Sequence, residues 1–459
     1  MDTLHTLLGA VVAIASLFAV IRGVEVRFAL LAGAAALAVI GNQVQAVSQV
    51  FLRQMVNPDF VVPICCSLGF ASVVKAAGCD QHLVHLLLAP LRKVRFLLIP
   101  GAVLLAFLVN IPVGSQTGTA ATVGPILLPV LRAAGIDRVA AGASILLGAS
   151  IGGELVNPGG PEYGTVSNAI ESKLKQEKPS RAECVAKTMP SVLAQLVVST
   201  ALLWWLSRKR TESETEAPRS DFRPNLLLAA IPLAPLAILF AVAKPFGFWH
   251  VPEEWLTTLA ERTALPSLPE TRLIGAAMLV GALLAAGACL LTGRKREFQD
   301  SAKAFFTGAG FAYAEVISLI VVANTFAKAV DGMGLTAGIE KLATLEPWLA
   351  APAALAAIFF FAFACGSGIA STQALFPLFV GPMAAAGVDP LTMGSTSVCA
   401  SAAGRTASPV AAVSLMCGKL AETEAAALAK RVFWPCLAGA AAAAIAGFGR
   451  TYFFGAISG

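Results

Sequence analysis

The sequence predicts an all-α polytopic membrane protein built as two inverted-topology repeats. Each repeat holds three spans, a re-entrant hairpin, a broken helix and a full span. Three observations carry this reading. Apolar runs of membrane length recur from end to end. In each half one such run stops at a Gly/Ser-rich turn and then resumes. The two interrupted regions also match each other at a nearly constant offset.

The 459 residues are 57% hydrophobic and only 13% charged, against about 25% charged in a soluble domain. The apolar runs use Leu, Ala, Val, Ile and Phe without alternation, which excludes a β-barrel. The net charge of +6 comes from Lys and Arg at the ends of apolar runs, so no soluble basic face exists for nucleic acid. Nine cysteines lie singly in or beside apolar segments, apart from Cys65–Cys66, with no Cys-x-x-Cys or Cys/His spacing. They are expected to be buried, inert thiols. His5, His82, His85 and His250 fall at span ends and are read as interfacial, with no metal site. The N-terminal apolar run has its charges after it and no small-residue cleavage site, so it reads as a first span rather than a signal peptide.

Uninterrupted spans are expected near 3–21, 26–41, 59–77, 186–207, 225–243, 271–292, 303–331 and 427–447. The stretch 42–57 is polar and reads as interfacial. Interrupted segments are 95–133 and 347–386, read as hairpins, and 138–176 and 390–420, read as broken helices. A polar linker, 208–224, separates a first repeat (1–207) from a second (225–459). The distribution of Lys and Arg favours a cytoplasmic linker and periplasmic N- and C-termini. Lys173, Lys175, Lys178 and Arg181 form the one basic cluster against that scheme. The hairpin 95–133 is basic at both ends (Arg92, Lys93, Arg95, then Arg132, Arg138), as an inner hairpin requires. The segment 347–386 has no basic residue and fits a hairpin entered from outside.

The internal match is specific. "VGSQTGTAATVGPILLPVLRAAGID" (113–137) meets "CGSGIASTQALFPLFVGPMAAAGVD" (365–389) at an offset of 252 residues. Gly114, Ser115, Thr119 and Pro125 fall on Gly366, Ser367, Ser371 and Pro377. At 251, "ASIGGELVNP" (149–158) meets "ASAAGRTASP" (400–409), which places Glu154 opposite Arg405. Each half makes an odd number of full crossings, so the second half inserts upside down. Inverted repeats with broken helices are the architecture of secondary transporters, with sites near the midplane.

Non-helical backbone in hydrocarbon survives only where it is buried in protein or lines a wet cavity. Half-helix N-termini offer N–H groups to carboxylates, and unwound carbonyls suit Na+. The candidate substrate-binding residues are therefore Ser115, Gln116, Thr117, Thr119, Asn157, Ser367, Ser371, Thr372, Arg405, Thr406 and Ser408. Coupling-ion candidates, for Na+ or H+ with no other cofactor, are Ser115, Glu154, Asn157, Glu162, Glu315 and Ser367. Taken singly, each Ser or Thr also fits helix back-bonding or packing against a neighbour. Arg405 leads the list, because an Arg at membrane depth costs at least about 2.5–3.5 kcal/mol. It either pairs with Glu154 or holds a substrate carboxylate by two parallel hydrogen bonds. Glu315 serves equally as a helix–helix contact or as a cation ligand.

"GSGIAS", "ASAAGRTASPVAAVSLMCGKL" and "GAGFAYAEVISLIVVANTFAKAVDGMG" resemble the DcuC-type anaerobic C4-dicarboxylate carriers, as do "GSQTGTAATVGPILLPVLRAAGI" and "LVNPGG". The resemblance implies a bacterial inner-membrane carrier of succinate, fumarate or malate. It further implies a homodimer in which hairpins and broken helices move together, elevator-like, past a scaffold. The first-half break departs from the family's pattern in carrying Glu154 and Glu162. An amino-acid or acyl-amino-acid carrier, of the aminobenzoyl-glutamate kind, shares this architecture and is the alternative. The motifs of metalloproteases, serine hydrolases and ATP-driven pumps are missing from the sequence, so an enzyme is not expected.

Overall fold

A computed structural model describes residues 3–88, 98–207, 222–242, 269–335, 340, 344 and 347–455. Among the described residues the chain is helical, with no strand. The first half runs α1 (Thr3–Ile21), α2 (Val26–Ile40), α3 (Val44–Met55), α4 (Pro58–Ala76), α5 (Cys79–Leu88), α6 (Leu98–Val113) and α7 (Gln116–Ala133). It continues through α8 (Arg138–Ser150), a 3-10 turn (Gly153–Val156), α9 (Pro161–Leu174) and α10 (Arg181–Leu206). After it come α11 (Leu226–Ala230), a 3-10 turn (Ile231–Leu233), α12 (Ala234–Val242), α13 (Pro269–Leu291) and α14 (Lys295–Ala312). A π-turn (Tyr313–Ile317) leads into α15 (Ser318–Gly332). The chain then forms α16 (Pro347–Cys365), α17 (Gly368–Ala385), α18 (Pro390–Ala407), α19 (Ala412–Leu420) and α20 (Ala425–Gly455).

Six stretches among the described residues are long and apolar enough to cross a membrane, seven if α4 and α5 count as one bent span. The multi-pass reading holds, but several expected spans are altered. Residues 26–41 form a helix of only 15 residues. The expected span 59–77 is a limb bent by 78° against α5, because Gly78 adopts φ +67° and ends α4. The region 225–243 is α11, a 3-10 turn and α12, with residue 243 outside the described residues. Residues 303–331 belong to one helix of 38 residues, Lys295–Gly332, carried through the π-turn. Residues 208–221 of the linker, the basic cluster at 92–95 and His250 also lie outside the described residues.

The two matching segments fold alike, atom for atom at their turns. Gly114 (φ +59°) and Gly366 (φ +70°) reverse the chain between α6 and α7 and between α16 and α17. A Cβ on Gly366 would lie 2.9 Å from the Ala411 backbone, so both conformation and space demand glycine there. Ser115 then caps α7 by accepting the Gly118 N–H at 3.2 Å, and Ser367 caps α17 by accepting the Ala370 N–H at 3.2 Å. Asp137 and Asp389 cap α8 and α18 in the same manner. Each broken helix presses its backbone on the first hairpin arm of its own half. A Cβ on Gly153 would sit 2.6 Å from the Phe107 carbonyl oxygen, and one on Gly404 would sit 2.1 Å from that of Phe359. Phe107 and Phe359 stand 252 residues apart, as the turns do.

The main apolar core is built chiefly from α6 to α10 and α16 to α20, with α2 and α15 packed into it. α10 and α20 are joined by the hydroxyls of Ser191 and Ser199, which donate to the carbonyls of Ala443 and Pro435, each at 2.9 Å. α4 and α13 hold a separate core around Phe70 and Met278. α14 and α15 lie against α4, α2, α3 and α17.

Candidate substrate-binding cavity

Both hairpin turns open on one cavity of about 440 Å³. Its walls are the first tip (Val113 to Thr117), the second tip (Cys365 to Ile369), the first break (Glu154, Asn157, Gly159 to Glu162) and Arg405. The outer rim comes from Glu25, Arg27, Phe311 and Glu315. The local sequence explains the shape. Pro112 and the left-handed Gly114 stop α6, and the capping serines start α7 and α17 at the cavity wall. The first N–H groups of a helix have no partner within it, and the aligned peptide dipoles place partial positive charge there. Two such ends converge, on helices of 18 residues each.

Arg405 and Glu154 form an ion pair at the back of the cavity, 5% and 3% exposed. Arg405 Nε donates to Ser150 Oγ at 3.1 Å, and Nη2 donates to the Ser150 carbonyl at 2.6 Å as well as to Glu154. The Nε/Nη2 edge is thus filled by the protein, so the two-bond grip on a substrate expected of Arg405 is not open in this conformation. Nη1 is left facing the second tip, beside Gly368. Glu154 Oε2 accepts from Asn110 Nδ2, and Asn110 Oδ1 in turn accepts from Thr119 at 3.1 Å. Asn110, fully buried, therefore ties α6, α7 and the first break together.

Of the residues singled out for substrate, Ser115, Gln116, Thr117, Asn157, Ser367 and Arg405 line the cavity. Thr119, Ser371, Thr372, Thr406 and Ser408 do not line it and are engaged by hydrogen bonds within the protein. Thr119 donates to Asn110, Ser371 to the Ile358 carbonyl, Thr372 to Ser401 Oγ at 2.9 Å, and Thr406 to the Ala402 carbonyl at 2.7 Å. Ser408 is fully buried; its Oγ accepts the Val410 N–H and its carbonyl accepts from Ser414. Thr119, Ser371 and Thr372 lie about one turn beyond the caps of α7 and α17, whereas Thr406 and Ser408 lie at the C-terminal end of α18.

All six coupling-ion candidates line the cavity. Asn157 donates to the Ile111 carbonyl at 3.1 Å and accepts the Gly159 N–H, holding the break open. Glu315 is at the rim, its side chain 51% exposed, with Arg27 Nη2 at 2.7 Å. Arg27 also donates to Glu25 and to Ser318 Oγ, so the rim is a three-residue charge cluster around the π-turn. Asn110, Ser150, Glu25 and Arg27 were not singled out from the sequence. Asn110 had a visible signal, as the one amide in "FLLIPGAVLLAFLVNIP". Cys365 lines the cavity and, like Cys65 and Cys66, is not fully buried. A smaller cavity of about 300 Å³ lies on the other flank of the first tip. It shares Val113, Ser115 and Thr117 and is bordered by Lys75 and Asp80.

Comparisons with known proteins agree with this architecture. Residues 50–448 match the family described as C4-dicarboxylate anaerobic carrier, DcuC. A 142-residue stretch is 34% identical to a protein of Haemophilus influenzae described as an uncharacterized transporter, covering 31% of this chain and 98% of that protein. The crystal structure of the Alcanivorax borkumensis YdaH transporter, reported to have an unusual topology, superposes with a TM-score of 0.59. It covers 98% of both chains at 15% identity, a likeness of fold.

Proposed function

This chain belongs to the DcuC family, a multi-pass membrane carrier rather than an enzyme, and from that premise we propose that it is a secondary active transporter of C4-dicarboxylates such as succinate, fumarate or malate. The single observation that carries the substrate class is the convergence of the α7 and α17 N-termini on one cavity. Two N-terminal ends match two carboxylates. Gln116, Thr117, Ser115 and Ser367 supply neutral donors beside them, and Nη1 of Arg405 adds one positive edge.

In this reading the two halves are inverted repeats, and their like-built turns face each other across the substrate. Each hairpin arm is locked to its broken helix by a glycine contact, so tips and breaks move as one body past α4 and α13 to α15. That is an elevator-type stroke, driven by Na+ or H+ or by exchange of one diacid for another. The protein sits in a bacterial inner membrane with both termini periplasmic, and works as a homodimer.

Uptake of labelled succinate into proteoliposomes, with Na+ and pH gradients imposed separately, tests the proposal. Saturable uptake that unlabelled fumarate and malate suppress is expected. Uptake suppressed by amino acids or acyl-amino acids but not by diacids would move the assignment to the amino-acid carriers. Flux proportional to concentration without saturation would refute a carrier of either kind.

A further inference from the structure

Glu162 begins α9 immediately after Pro161, is 2% exposed and lines the central cavity. Its Oε2 has no hydrogen-bond partner. One turn further along α9, Thr165 is 3% exposed and its hydroxyl also lacks a partner. Thr165 lines a different cavity, of about 490 Å³, with Asn168, Ser172 and Lys173 further along the same helix. On α17, which packs along α9, Gln373 is fully buried with both amide atoms unpartnered. One turn on, Pro377 lines that second cavity too. Positions three apart share a helix face, so at α9 the two cavities are separated by one helical turn, about 5 Å. Two polar side chains with unfilled hydrogen-bonding capacity occupy that turn, and Gln373 adds a third on the helix packed against it. Buried polar atoms in native proteins are paired, by water where protein supplies no partner.

The charges around Glu162 define what it can do. Glu154 and Arg405 face it across the break and neutralise each other. Arg181, from α10, donates to the Gly160 carbonyl at 3.2 Å. α17 carries no ionisable residue, and α4 carries Asp59 and Lys75 only towards its two ends and the thiols Cys65 and Cys66 between them. Glu25, Arg27 and Glu315 lie at the far rim. An ionised Glu162 adds one negative charge to the cavity wall, which disfavours a dianion there, and a protonated Glu162 takes that charge away.

We propose that Glu162 is a proton-binding site that couples anion movement to a pH gradient, and that Thr165 and Gln373 form its route to the second cavity. Oε2 takes a proton from hydronium on one side and returns it to water on the other; no other bond changes. Anion binding and protonation favour each other, which gives symport. The mechanism rests on the central cavity being the substrate site.

The test uses full-length protein in proteoliposomes, with labelled succinate and a pH-sensitive dye. A one-unit gradient is worth a factor of about ten per proton carried. Wild type should accumulate succinate about that far, with matching proton movement. Glu162→Gln should lose gradient-driven accumulation and proton movement, and its exchange of labelled for unlabelled succinate should no longer vary with pH. Thr165→Val should slow gradient-driven uptake and leave exchange alone. Accumulation by Glu162→Gln equal to wild type would overturn the proposal. Lack of succinate exchange by wild type would instead refute the substrate reading. In that event infrared difference spectra of the purified protein decide the proton site. A carboxylic acid band that responds to pH and disappears in Glu162→Gln supports it, and a band unchanged by the substitution refutes it.

Discussion

Replacing either member of the Glu154–Arg405 pair should unfold the protein far more readily than replacing both. Arg405 is 5% exposed and reaches only Ser150 besides Glu154, while Glu154 keeps only Asn110 when Arg405 is gone. Breaking a buried pair from one side costs about 3–5 kcal/mol, because the surviving charge is left uncompensated. Replacing both members by apolar residues of similar volume removes that penalty. For Glu154→Leu or Arg405→Met alone, at roughly 2 °C per kcal/mol, the melting temperature should fall by about 6–10 °C. The double variant should melt no lower than the better single one, a coupling of about 3 kcal/mol or more. Thermal unfolding in detergent, followed by tryptophan emission, reads all four proteins. Additive losses, or single variants within about 1 °C of wild type, would show that the two groups do not hold each other. Transport should be lost in all three variants, since the pair also shapes the back of the cavity.

Three further outcomes follow from the turns. Ser115→Ala and Ser367→Ala each remove a cap worth about 1 kcal/mol, and each should raise the KM for succinate in proteoliposome uptake. A KM unchanged in both would separate the tips from the substrate. Gly404→Ala places a Cβ 2.1 Å from the Phe359 carbonyl and should cost at least about 1–3 kcal/mol by forcing α16 from α18. Size-exclusion chromatography would then show loss of monodisperse protein, and normal elution and melting would refute the contact. Cys365, half-buried on the cavity wall, should react with a small maleimide more slowly when succinate is present. Equal rates with and without succinate, measured against Cys365→Ser, would place the thiol away from bound substrate.

The repeat offset set Glu154 opposite Arg405 in the sequence and made their pairing one of two open roles for the arginine. It also aligned Ser115 with Ser367, though as candidate ligands; that both cap a helix depends on backbone geometry at the turns. The facing of Thr119, Ser371, Thr372, Thr406 and Ser408 was not legible in the sequence. Their residue types fit a ligand shell, but which way a hydroxyl points depends on helix phase and on the neighbour it meets. Arg27 was hidden differently. It looks like an ordinary flanking charge, and its partner Glu315 lies 288 residues away in sequence. The bend after α4 turns on the backbone of Gly78, a conformation that one glycine among 40 does not announce.

The π-turn at Tyr313–Ile317 sets a condition on how this gene can change. A π-turn is an α-helix with one surplus residue. Deleting a single residue there would leave an unbroken α-helix, so the chain would still fold. Because the wide turn absorbs its surplus residue, the flanking helices would keep their phase, and the change would fall on the turn itself, moving Glu315 relative to Arg27 at the rim of the cavity. Length variation at this point is thus tolerated by the structure and punished by the site. A one-residue gap in a descendant of this chain would mark a change of task and not a loss of stability.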